Sequence, residues 1–146
     1  LIYNMNMEIR VERAFHAAHR IWQHKERCRF LHGHSYRVRI RAEGGLDRWG
    51  MVADFSDVKA IVDQLDHCVI LSKEDPLADV LKREGQRLFL LDRNPTAENL
   101  ALLIAQRLIE ELSLERAEVE VFETENQSAL CLLSRENLPG ISFERT

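Results

Sequence analysis

Five of the six histidines fall between His16 and His34, and two of them form the triplet His32-Gly33-His34. On extended backbone, residues two apart project from the same face. His32 and His34 therefore share a face, and the alternation carries that face on through Tyr36, Val38 and Ile40. In the preceding segment His19 has the parity of Ile9, Val11, Phe15 and Ala17, whereas His16 has that of Glu8, Arg10 and Glu12. Without a bulge, His19 turns toward the core and His16 away from it. His19, His32 and His34 then converge on one interior face. Three neutral imidazoles with an open fourth position are a catalytic zinc pattern. The competing reading is three separately satisfied buried histidines. A shared parity beside a glycine, which admits a close approach, favours the metal. His16 and His24 read as surface residues. A cupin-type site needs a glutamate shortly after the His-x-His pair, and Arg37, Val38 and Arg39 stand there instead.

Other residues could act beside such a metal. Cys28 lies four residues before His32, with Lys25, Arg27 and Arg29 around it. Basic neighbours favour thiolate, which suits a base or nucleophile; an idle loop cysteine fits the spacing equally well. Asp66-His67 follows a helical pattern. An acid can orient a histidine for proton transfer, but adjacent helical residues do not face each other, and a helix-end cation is the simpler reading. Cys68 reads as a small buried hydrophobe. Glu123 shares parity with Val119 and Val121, so an apolar strand face ends in a carboxylate. Burying it unpaired costs several kcal/mol as an order of magnitude, so it calls for a partner or ligand unless the strand frays. A carboxylate accepting two N–H groups suits a guanidine-like edge. Glu98 suits the first turn of a helix, with a site role open.

The elements that must position these groups are legible. Met7 to Ala17 and His34 to Ala42 alternate as half-buried strands, joined by a polar, basic loop from Arg20 to Phe30. Gly44-Gly45 signals a turn. Ser56 reads as the N-cap of a helix running to about Leu65, after a turn at Asp54-Phe55. Pro76 to Glu84 is a possible short helix stopped by Gly85, and Arg87 to Leu91 a possible extra strand. Pro95 and Thr96 open the strongest helix, with Ala97, Leu100, Ala101, Ile104, Leu108 and Leu112 at helical spacing. Ala117 to Thr124 and Ser128 to Ser134 read as strands. Two strands, two or three helices and two strands give an α+β class, an antiparallel sheet with helices on one face. Such a sheet has two edges to cover, and closing several subunits into a barrel is one way, so a homo-oligomer is expected.

Composition bounds the function. The chain has 146 residues, 45% hydrophobic and 30% charged, which fits a single domain over residues 1–146 with a core of its own. Net charge is −4 without a basic tail, which argues against nonspecific nucleic-acid binding. No run approaches the roughly 20 apolar residues of a membrane span. Leu1 to Met7 has no basic flank leading into a long apolar stretch, so no secretory signal is read, and residues 1–6 read as an extension. Three widely spaced cysteines without a C-x-x-C fit reduced thiols in a cytoplasmic protein.

The motifs also occur together and in order: Phe15-His16-Ala17-Ala18-His19-Arg20, Cys28-x-x-x-His32-Gly33-His34-Ser35-Tyr36, Asp54-Phe55, Leu65-Asp66-His67, Pro95-Thr96-Ala97-Glu98-Asn99 and Glu123-Thr124. As a set over roughly Met7 to Ser134, they resemble the 6-pyruvoyltetrahydropterin synthase and 6-carboxytetrahydropterin synthase family. The resemblance implies the tunnelling fold, with three subunits closing a barrel and two trimers stacking into a homohexamer. It implies zinc on His19, His32 and His34, and a catalytic Cys28. It makes Asp66 and His67 an acid–histidine pair, usually supplied across a subunit interface. Glu123 would anchor the pterin ring, and Thr96 and Glu98 would lie near the pterin pocket. The three-residue gap between Cys28 and His32 resembles the 6-carboxytetrahydropterin synthases of the queuosine and 7-deazapurine route. The pyruvoyl enzymes have a longer gap, and a folate-pathway variant carries a glutamate where Arg29 and Phe30 stand here. The implied activity is a zinc-dependent lyase. It would convert 7,8-dihydroneopterin triphosphate to 6-carboxy-5,6,7,8-tetrahydropterin, releasing acetaldehyde and triphosphate. The alternatives are a 6-pyruvoyltetrahydropterin or hydroxymethyl pterin product, or a noncatalytic zinc- and pterin-binding oligomer. Arg20, Lys25, Arg27, Arg29 and the arginines of the second strand are candidate triphosphate contacts. The stretch from Lys73 to Asp92 is longer than in compact members and bears on the pocket rim.

Overall fold

The structure, a computed structural model, describes residues 6–146. Apart from Asn6, the expected extension lies outside the described residues. The alternating segments form two long strands, β1 (Met7–His19) and β2 (His32–Gly44). They pair antiparallel from Met7↔Gly44 to His19↔His32 without a register shift. The parity read from sequence therefore holds along the whole ladder. Phe15 and Tyr36 face each other across it, fully buried, with rings stacked 4.6 Å apart.

Helix α1 (Phe55–Asp63) follows β2. Its cap is Asp54, whose carboxylate accepts from the Ser56 N–H at 2.8 Å, two residues before the cap expected at Ser56. Asp and Ser are both good caps, and the first turn begins one residue after the earlier of them. Helix α2 is Leu77–Arg83, ended by Gly85 at φ +75. It lies between β3 (Cys68–Ser72) and β4 (Leu88–Leu91). Helix α3 (Ala97–Leu112) is capped by Thr96, whose hydroxyl accepts from the Asn99 N–H at 3.1 Å. Strands β5 (Arg116–Thr124), β6 (Gln127–Ser134) and β7 (Phe143–Arg145) complete the chain.

One mixed sheet results, in the order β6-β5-β2-β1-β3-β4-β7. Its four main strands, β6-β5-β2-β1, are antiparallel throughout, as expected. Helices α1 and α3 cover one face and share the core with Phe15, Tyr36, Val38, Ile40, Val119 and Val121. The class is α+β.

The stretch around Lys73–Asp92 adds what the overall pattern did not resolve. β3 runs parallel to β1, and β4 parallel to β3. A parallel pair needs a crossover, and α2 supplies it. Cys68, Ile70, Phe89 and Leu91 point into the main core. Val69, Leu71, Leu88 and Leu90 point to the opposite face, where Leu77, Ala78 and Leu81 of α2 cover them. At this end the sheet therefore carries helices on both faces, which is why Val69 to Leu71 and Leu88 to Leu91 read as apolar runs without alternation. β7 closes that edge on β4, with Phe143 stacked on Phe89 at 5.0 Å. No helix among the described residues is long and apolar enough to cross a membrane.

Candidate metal centre and active site

The paired ends of β1 and β2 bring three imidazoles together. His19 is directly opposite His32, and Ala17 is opposite His34. One ring nitrogen from each of His19, His32 and His34 lies within 4.8 Å of the others. His19 is buried, while His32 and His34 are partly buried. His16 is exposed on the opposite face, its Nδ1 at 3.0 Å from the Ser35 hydroxyl.

The hydrogen bonds decide which nitrogens are free. His19 Nδ1 lies 2.8 Å from the Pro95 carbonyl, and His32 Nδ1 lies 2.7 Å from the Phe30 carbonyl. A carbonyl only accepts, so both Nδ1 atoms carry a proton, and in the neutral rings both Nε2 atoms hold lone pairs. Those two Nε2 atoms are 3.1 Å apart. Two lone pairs at that distance need something electropositive between them. His34 Nε2 is buried with no hydrogen-bond partner among the described residues. Burial pushes the pKa of both His19 and His34 down and so favours the neutral form, the one that ligates. Carbonyls fixing the far nitrogen of a ligating histidine are the usual outer shell of a metal site. The residues present fit a divalent cation such as zinc.

Glu123 faces this cluster. Its carboxylate oxygens lie 4.0 Å from His19 Nε2 and 3.8 Å from His34 Nε2. The strand does not fray there. The β5–β6 register shifts between Phe122 and Thr124, a bulge of the kind that re-aims a side chain. Tyr36 lies beneath, its ring centroid 5.2 Å from His34 and 5.8 Å from His19. Its buried hydroxyl has no partner among the described residues, and burial and the Glu123 charge push its pKa up, so it remains a phenol.

Besides an open hollow of about 500 Å³ on which His34, Tyr36 and Glu123 also border, two clefts open beside the cluster. One, about 490 Å³, is lined by Arg27, Cys28, Phe30, His32, His34 and Gln127. It places the exposed Cys28 thiol, carried on a 3-10 turn at Arg27–Arg29, beside two of the histidines. The other, about 190 Å³, is lined by Ala97, Glu98, Glu123, Gln127, Ser128 and Ala129. Cys28, Glu98 and Glu123 are thus gathered around the histidines. Thr96 is nearby in sequence, but its hydroxyl is occupied in capping α3.

Asp66 and His67 are together, but not here. Asp66 accepts from the His16 N–H at 2.8 Å with one oxygen and meets His67 Nδ1 at 2.8 Å with the other. Both contacts hold the Asp66 carboxyl below its usual range. His67 takes a left-handed φ of 59° outside the helix, which lets adjacent residues face each other. That conformation defeats the helical-spacing objection. The His67 ring lies edge-on to His16, 6.3 Å between centroids, beside the sheet face opposite His19. Within one chain the pair sits apart from the Cys28 cleft.

The basic candidates divide. Arg20 is committed to the fully buried Asp75 by bonds of 2.8 and 2.5 Å. Arg37 and Arg39 pair with Glu12 and lie over the Phe122 ring, and Arg41 pairs with Glu8 and Glu118. Lys25, Arg27 and Arg29 have no acidic partner among the described residues. Of these, Arg27 lines the thiol cleft. Sequence reasoning did not single out Gln127, Tyr36 or the Pro95 carbonyl as site groups. Parity could have marked Tyr36; no spacing signal marks the other two.

A sheet whose four main strands are antiparallel, backed by two helices and presenting three histidines beside a thiol and a carboxylate, defines the class as an α+β protein with a candidate metal centre. The 6-pyruvoyl tetrahydropterin synthase family model matches residues 8–132. A 6-carboxy-5,6,7,8-tetrahydropterin synthase of Rickettsia typhi is 33% identical over 77% of this chain and 90% of its own. One from Haemophilus influenzae is 32% identical over 80% of this chain and 92% of its own. A solved Plasmodium vivax 6-pyruvoyltetrahydropterin synthase superposes with a TM-score of 0.63 at 28% identity, covering 89% of this chain and 99% of its own. The chain belongs to the 6-pyruvoyl tetrahydropterin synthase family, an enzyme family of lyases.

Proposed function

We propose that this chain is a zinc-dependent 6-carboxytetrahydropterin synthase. It would act on 7,8-dihydroneopterin triphosphate and release 6-carboxy-5,6,7,8-tetrahydropterin, acetaldehyde and triphosphate. The observation that carries the reading is the convergence of His19, His32 and His34 beside Cys28 and Glu123. The short gap between Cys28 and His32 and the names of the relatives support the carboxy product over the pyruvoyl one. Cys28, Asp66 and His67 are all present, which supports catalysis over mere pterin binding.

Each residue then has a task. Zinc bound by His19, His32 and His34 would supply Lewis acidity to the oxygens of the substrate side chain. Glu123 accepts the N–H donors of the amino-pyrimidine edge and so fixes where the side chain falls. Cys28 thiolate takes a proton from that side chain, in the cleft it shares with His32 and His34. Asp66 holds His67 by its Nδ1, leaving Nε2 to exchange the next proton. Because that pair lies apart from the Cys28 cleft of its own chain, it serves a neighbour's site. A homohexamer built as two stacked trimers provides this arrangement. The unpaired edge of β6, where Leu130 and Leu132 are exposed, is suited to strand pairing with a second copy. The setting is cytoplasmic biosynthesis of 7-deazapurines of the queuosine type.

The test is incubation of the zinc-loaded protein with 7,8-dihydroneopterin triphosphate, followed by mass spectrometry. The 6-carboxy product with acetaldehyde is expected. A pyruvoyl or hydroxymethyl pterin would reassign the reaction within the family, and unchanged substrate would leave only binding.

A further inference from the structure

The carboxylate cleft and the thiol cleft meet at one side chain. Gln127 is the residue common to the lining of both. Its carboxamide has no hydrogen-bond partner among the described residues, and it stands at the first position of β6, directly after the turn that follows Glu123.

Consider what the carboxylate cleft offers a ligand. Ala97 and Ala129 offer apolar contact. Glu98 and Glu123, when ionised, only accept. The Ser128 hydroxyl is committed to Glu120 at 2.7 Å. Gln127 is therefore the one side chain of this lining with a free N–H donor. A 2-amino-4-oxopteridine presents more than donors. Its 2-amino group and N3–H donate, but O4 and the adjacent N5 accept. Those two acceptors lie on the ring edge that runs from the pyrimidine end to C6, where the side chain is attached. A residue joining the carboxylate cleft to the thiol and histidine cleft runs along that edge.

We propose that the Gln127 carboxamide donates to O4 and N5 of the bound ring and is the residue that selects a 4-oxo over a 4-amino pteridine. The proposal rests on the pterin reading above and adds to it the group that distinguishes one ring from another. Glu123 alone cannot do this, because the 2-amino group is present in both rings. The main-chain N–H groups at the start of α3 are the competing donors; Ala97 and Glu98, which carry two of them, line the carboxylate cleft but not the thiol cleft.

The experiment is fluorescence titration of the zinc-loaded full chain with two unreactive probes, 6-methylpterin and 2,4-diamino-6-methylpteridine. Wild type is expected to prefer 6-methylpterin. Gln127→Glu replaces the donor by an acceptor, so 6-methylpterin affinity falls by about 10- to 100-fold and the preference reverses. Gln127→Met removes the donor without adding charge and is expected to abolish the preference. Gln127 is exposed, so both variants should fold, and zinc content should equal that of wild type. If wild type binds and both variants keep its preference, the donor to O4 is the main chain of α3 and the assignment to Gln127 is overturned. If wild type binds neither probe, the pterin reading itself fails, and this proposal with it.

Discussion

His19 and His32 stand directly opposite each other at the end of the β1–β2 ladder, their Nε2 atoms 3.1 Å apart and each Nδ1 tied to a main-chain carbonyl. Both neutral rings thus have their lone pairs converging, and His34 adds a third nitrogen without a hydrogen-bond partner among the described residues. Purified protein is expected to carry close to one zinc per chain, with His nitrogens at roughly 2.0–2.1 Å. His19→Ala should lose the metal, and His16→Ala should keep it. Atomic emission and X-ray absorption measure both. A ligating His16, or full zinc in His19→Ala, would contradict the parity on which the centre rests. Stripping the metal should also lower the melting temperature, since a ligand held only by the folded state stabilises it.

Cys28 and Glu123 flank the histidines from different clefts, so their loss should differ in kind. Cys28→Ala removes the proposed base and neither a metal ligand nor the ring anchor. It should keep zinc and pterin affinity while turnover falls by at least the ~10²-fold of a positioned acid–base group. Glu123→Ala should keep zinc but weaken pterin binding by about 2–5 kcal/mol, as for a truncated buried charge pair. KM should therefore rise as turnover falls. Steady-state kinetics with zinc analysis separates the two patterns. Zinc loss in Cys28→Ala, or normal pterin binding by Glu123→Ala, would show the roles to be misassigned.

Period-2 alternation located the centre because β1 and β2 contain no bulge, so the choice of His19 over His16 follows from counting. The four main strands were legible for the same reason, each alternating between a more buried and a more exposed face, and α3 from the helical spacing of Ala97, Leu100, Ala101, Ile104 and Leu108, although Leu103 to Ile109 is buried all round. β3 and α2's place on the far face were not, because Val69 to Leu71 is apolar on both sides and periodicity is silent there. Asp66 and His67 were paired by the family resemblance, but their spacing alone did not show the contact. Their pairing depends on the left-handed backbone at His67, a conformation uncommon outside glycine and unmarked in the sequence. Glu123 was visible by parity even though a bulge begins beside it.

The separation of Asp66–His67 from Cys28 makes a prediction about sharing. Cys28→Ala and His67→Ala homo-oligomers should each be nearly inactive. Unfolding the two together and refolding them as a mixture should restore activity, because some sites then draw an intact Cys28 from one chain and an intact His67 from another. Random mixing at equal amounts gives about a quarter of sites with both groups, since isologous and cyclic contacts repeat the same pairing. No recovery, with mixed oligomers verified by native mass spectrometry, would place both groups in one chain's site. A fully active monomer by sedimentation would do the same.

Asp75 ties the long β3–α2–β4 segment to the residue after a candidate metal ligand. Its carboxylate is fully buried, takes two bonds from Arg20, and also accepts from the Leu77 N–H at 2.8 Å, opening α2. Removing one partner of a buried ion pair costs ~3–5 kcal/mol, because the other charge is left unpaired. Arg20 is 23% exposed, so water can recover part of its solvation. The expected cost of Asp75→Ala is therefore about 2–3 kcal/mol, below the fully buried range. Asp75→Asn keeps an acceptor for both Arg20 and the Leu77 N–H and should cost less than Asp75→Ala. Urea unfolding of the metal-free proteins measures the difference without a contribution from zinc. Equal stability of Asp75→Ala and wild type would mean that the clamp adds nothing, and that β3 and β4 are held to β1 by sheet pairing and the α2 cluster alone.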